Sequence, residues 1–84
     1  MSSMKSQSNI NNKVELLKLC SEKLSSINEN VLADDRKAAM EELNIGYWTV
    51  LRYLKGEVKN LDLGVNLYNF LNSRIEKRRE VLTA

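Results

Sequence analysis

The chain contains no proline, and its three glycines stand at positions 46, 56 and 64 of 84 residues. Proline stops helices and glycine weakens them, so a leucine-, glutamate- and lysine-rich chain with so few of either predicts helices joined by short turns. The expected fold class is all-α, a small bundle of four to five helices. With 43% hydrophobic and 29% charged residues, the composition is that of a globular domain rather than a disordered tail. We expect one helical domain over residues 10–84 and a flexible N-terminal tail over residues 1–9, where MSSMKSQSN has no apolar periodicity.

The residue inventory narrows the chemistry. There is no histidine and one cysteine, Cys20, so an intramolecular disulfide, a zinc site and a Ser-His or Cys-His arrangement are not expected. Neither catalysis, a cofactor nor a small-molecule substrate is expected. No stretch approaches the roughly 20 apolar residues that span a bilayer, and the expected location is cytoplasmic, away from membranes. Cys20 reads as a small core residue.

Apolar residues Val14, Leu17, Cys20 or Leu16, Leu24 and Ile27 recur at three- and four-residue steps, predicting a first helix from about residue 11 to 27. Asn28, Glu29 and Asn30 then favour a turn. Asp34 and Asp35 precede the run RKAAMEEL, which predicts a short second helix over 35–43 with an aspartate as N-cap. Asn44 tolerates a left-handed exit. A third helix is expected over 47–55, with Val50, Tyr53 and Leu54 inward and Gly56 closing it. The last helix starts near Leu61. Its two stripes, Leu61, Val65, Tyr68, Leu71, Ile75 and Leu63, Leu67, Phe70, are wider than one neighbour needs, which points to a homodimer through this C-terminal helix.

Charge is unevenly spread. Residues 29–43 carry a net charge of −3 and residues 44–60 a net charge of +2, so an anionic partner would meet the segment around Arg52, Lys55 and Lys59. The arginines and lysine at 74, 77, 78 and 79 read more simply as a solvated helix end than as a second phosphate-binding strip. Asp34, Asp35, Glu41 and Glu42 are explained by capping and an acidic face rather than by metal or acid-base work.

Two short helices around a tight turn, the second with an apolar inner and a polar outer side, describe a helix-turn-helix. Residues 36–56, RKAAMEELNIGYWTVLRYLKG, meet that description in order. The segment resembles the helix-turn-helix of phage lambda-repressor-like and lac-repressor-like DNA-binding domains, whose buried pattern is filled here by Ala39, Leu43, Ile45, Val50 and Tyr53. The resemblance implies sequence-specific binding of double-stranded DNA and a role in transcription regulation. It places Tyr47, Trp48 and Arg52 at base-reading positions, Thr49 at a phosphate-contacting one and Lys55 near the DNA backbone. Lys59 joins the backbone contacts by its charge. Three positions depart from the family: Met40 stands where a small residue is usual, implying a wider crossing or a shifted register, Asn44 replaces a turn glycine, and Trp48 replaces a hydrogen-bonding reader. An indole can meet a thymine methyl or a sugar, but makes no bidentate contact with adenine. Tyr47 and Trp48 are equally compatible with partial core burial. A rival reading is a protein-interaction module that exposes Tyr47, Trp48 and Leu51 as an apolar hot spot.

Overall fold

The computed structural model describes the chain from residue 2 to 83, and its side chains from 12 to 82. Four α-helices follow one another: α1 (Ser2–Ile27), α2 (Ala33–Leu43), α3 (Tyr47–Leu54) and α4 (Leu61–Thr83). A 3-10 turn, Asn28–Asn30, joins α1 to α2, as its turn-favouring residues predict. The expected all-α bundle is what the chain forms. Helix α1 starts nine residues before its expected limit at about residue 11 and takes in residues 2–9 of the expected tail, whose side chains are not described. Among the described residues no helix is long and apolar enough to cross a membrane.

The two long helices, α1 and α4, pack on each other, and the short pair α2 and α3 closes the remaining sides; α4 meets α1 and α2, and α3 meets α1 and α2. Their shared core contains Cys20, Leu24 and Ile27 from α1, Ala39 from α2, Val50, Tyr53 and Leu54 from α3, and Leu67, Leu71 and Ile75 from α4. Leu24, Leu54, Leu67 and Leu71 are fully buried, each contributing about 1.5–3 kcal/mol of transfer free energy. Val14 departs from its expected inward place and is mostly exposed. At 3.6 residues per turn it falls on the flank of the stripe defined by Cys20, Leu24 and Ile27.

Helix ends explain the turns. Helix α2 begins two residues before its expected start, at Ala33, with Leu32 rather than an aspartate at the N-cap. Asp35 still serves that terminus from the first turn, its Oδ2 accepting the Leu32 amide at 2.9 Å. Asn44 ends α2 in the left-handed conformation, with φ 54° and ψ 53°, and the Ile45 amide donates to the Met40 carbonyl. Helix α3 ends one residue before its expected limit. Gly56 takes φ +94°, and the amides of Gly56 and Glu57 donate to the carbonyls of Tyr53 and Arg52, the paired bonds of a Schellman ending.

The connector to α4 is held from the core. The Tyr53 hydroxyl accepts the Asn60 amide at 2.9 Å, while Asn60 Oδ1 accepts the Leu63 amide at 2.9 Å and caps α4. Gly64, one turn into α4, is buried. A methyl group at its Cα would lie 2.8 Å from both Cys20 Sγ and a Val58 methyl, so the absence of a side chain is what lets α4, α1 and the connector approach so closely.

Candidate nucleic-acid interface

The α2–α3 pair is built from the turn Asn44-Ile45-Gly46. Three residues suffice because Asn44 reverses the chain at positive φ and Gly46, in extended backbone, serves as N-cap of α3. The Val50 amide donates to the Gly46 carbonyl to close the first turn of α3. Gly46 has no side chain to cap the helix, and the space where a Cβ would stand is open. The first amides of α3 thus have no side-chain cap at the positive end of the helix dipole.

The inner side of α3 is its buried residues Val50, Tyr53 and Leu54. Of the pattern expected beneath the two helices, Ala39, Val50 and Tyr53 are buried, and Leu43 and Ile45 are half-buried against them. Ala39 is fully buried, whereas Met40 packs on the core only in part. The small residue sunk in the core is thus Ala39, one position before Met40, whose long flexible side chain lies at the core's edge.

The outer side of α3 carries the residues singled out by sequence. Trp48, Arg52 and Lys55 are all exposed and lie at i, i+4 and i+7, one stripe along the helix. Trp48 is 69% exposed, so the packed alternative does not apply to it. Tyr47 is also exposed and meets the Trp48 ring edge-on, with centroids 5.5 Å apart. Thr49 and Leu51 are half-buried at the border. Among the described residues no carboxylate lies within ion-pair distance of Arg52. Lys59 is exposed on the connector, beside a crevice shared with Lys13 and Leu17 of α1. Four of the six residues thus belong to one short helix, Lys55 stands at its C-cap, and Lys59 lies on the connector that follows.

The basic end of α4 is organised differently from its expected solvated state. Arg74 Nε and Arg78 Nη1 both donate to Oδ1 of Asp35, at 2.7 and 2.8 Å, and Arg78 Nη2 also donates to the Asn30 carbonyl at 2.7 Å. Arg79 pairs with Glu76 at 3.2 Å. Burial pushes the Asp35 carboxyl up, but the hydrogen bonds from Arg78, Arg74 and the Leu32 amide outweigh it and hold the carboxyl at about 2, against an ordinary 3.8. Asp35 is thereby a fixed carboxylate that positions α2 against α4. The available sequence signal was the spacing of Arg74 and Arg78, four apart on one face, although nothing local names their partner. Burial also raises the Cys20 thiol above its usual value, in keeping with a core role.

No family model matches the chain, and no curated protein or solved structure matches it.

Proposed function

We propose that the chain binds double-stranded DNA in a sequence-specific manner, with α3 entering the major groove, and acts as a small transcription regulator. The observation that carries this reading is the exposed Trp48–Arg52–Lys55 stripe on the second of two short helices joined by a three-residue turn. A helix presented in this way fits the width of the major groove. Arg52 is suited to a bidentate contact with guanine O6 and N7. Trp48 and Tyr47 offer apolar surface to base edges, while Thr49, Lys55 and Lys59 contact the sugar-phosphate backbone. The uncapped amides at the start of α3 suit a phosphate as well. Regulation then follows from occupancy, by occlusion of an operator or recruitment to it, and a homodimer would read two half-sites about one helical turn apart.

A second reading draws on the exposure of Trp48 and its edge-on contact with Tyr47: the pair is an anchor for a protein partner. Trp48 is the single tryptophan of the chain, which makes its fluorescence a direct probe of α3. Titration with a mixed-sequence duplex is expected to change that emission, and the apparent affinity is expected to fall steeply with added salt as counterions are released. Unchanged emission and no retention of duplex at low salt would turn the assignment to the protein-partner reading.

A further inference from the structure

Helix α3 and its C-cap, YWTVLRYLK, contain no asparagine, glutamine, aspartate or glutamate. Those are the side chains that pair with adenine through N6 and N7 or accept from cytosine N4, so α3 has no amide or carboxylate with which to select either base. Its exposed side chains are Tyr47, Trp48, Arg52 and Lys55. The Tyr47 hydroxyl both donates and accepts, and the Trp48 Nε1–H donates to an acceptor that adenine, guanine and thymine all present. Hydrogen bonds from the two aromatics therefore discriminate little among bases.

Two contacts do discriminate. Arg52 is exposed, with no carboxylate at ion-pair distance among the described residues, and its planar fork matches guanine O6 and N7. Trp48, 69% exposed, presents apolar ring surface, and the apolar group that base edges offer in the major groove is the methyl on pyrimidine C5. Tyr47 meets the indole edge-on, with centroids 5.5 Å apart, which favours one placement of the ring and widens the apolar surface. Trp48 and Arg52 stand four residues apart, about 6 Å along the helix, whereas base pairs stack at about 3.4 Å. A helix lying along the groove thus sets the two contacts within about two base pairs of each other.

We infer that α3 selects a C5-methylated pyrimidine within about two base pairs of a guanine, with Trp48 on the methyl and Arg52 on the guanine. The inference rests on the DNA-binding reading and sharpens it, because the determinant beside the guanine is a methyl group rather than a base as such. Thymine carries that group, and 5-methylcytosine carries it at the same ring position. The chain therefore distinguishes methylated from plain cytosine at this position, and cytosine methylation of the duplex strengthens its binding.

The test starts from a duplex selected out of a random pool by the full chain, remade with a fluorescent label and with deoxyuridine at one thymine at a time, an exchange that removes only the methyl. Anisotropy titration is expected to find a thymine near a guanine whose exchange weakens binding about fourfold. With cytosine placed there instead, 5-methylation is expected to strengthen binding by about the same factor. Trp48→Ala, which keeps its helical circular dichroism because the indole is mostly in solvent, is expected to bind each methylated and unmethylated pair equally. A selected motif in which no uracil exchange matters overturns the inference while leaving sequence-specific binding in place. So does a methyl effect that persists in Trp48→Ala. Retention of duplex without any enriched motif removes base reading and the inference with it, and no retention at low salt removes DNA binding itself.

Discussion

Arg74 Nε lies 2.7 Å from Asp35 Oδ1, joining an arginine that keeps 39% of its side chain in solvent to a carboxylate that keeps none. The asymmetry sets the energetics. The arginine can return to water if the contact is lost, whereas the carboxylate has no route to water inside the folded chain. Its worth is thus read best from the aspartate side.

The carboxyl of Asp35 falls from 3.8 to about 2 on folding, equivalent to about 2 kcal/mol of stability. Because the folded value is the lower one, this contribution is complete above the unfolded value and is lost as pH falls from about 4 towards 2. Asp35→Asn is expected to reduce stability at neutral pH by about 2 kcal/mol and to flatten the acid limb. Urea melts of both chains at a series of pH values check this; parallel acid limbs would show that other carboxylates set it.

Gly64→Ala is expected to destabilise the protein by about 1 kcal/mol or more, although alanine is the better helix former by about the same amount. The reason is steric, since the new methyl would meet Cys20 Sγ and Val58 Cγ1 at 2.8 Å. Thermal unfolding followed at 222 nm decides the sign.

Tyr53→Phe keeps the ring in the core and removes only the hydroxyl that accepts the Asn60 amide. A loss of about 1 kcal/mol is expected, with faster hydrogen exchange at the Asn60 amide. Unchanged exchange there would mean that water replaces the hydroxyl at no cost.

Much of this architecture was legible in the sequence because it rests on local rules. The turn at Asn44 and the stop at Gly56 follow from which residues accept positive φ, and both are found there. The inward face of α3, Val50, Tyr53 and Leu54, follows from the 3.6-residue period. Where the reading failed, the controlling contact was distant or the pattern permissive. Asp35 and Arg74 are separated by 39 residues, and no periodicity links the first turn of α2 to the middle of α4. Val14 shares the spacing of the buried residues closely enough to look internal, but falls on the flank once the helix meets its neighbours. The same 3.6-residue period puts Trp48 largely outside the inward face of α3, where it is found, although partial burial stays open at the level of sequence because large aromatics are packed more often than exposed.

Within the proposed function, Arg52→Ala is expected to cost about 1–3 kcal/mol on a preferred duplex and to relax selectivity at one base pair. Lys55→Ala is expected to weaken all duplexes alike and to lower the slope of log affinity against log salt by about 1. Fluorescence titrations over a salt series separate the two roles, and equal uniform losses would reduce Arg52 to a backbone contact.

The central claim is that α3 reads base sequence, and selection from a random duplex pool by the purified full chain at moderate salt tests it most directly. Enrichment of a short motif, lost in Arg52→Ala, is the predicted result. Retention that vanishes with salt and enriches no sequence would contradict it.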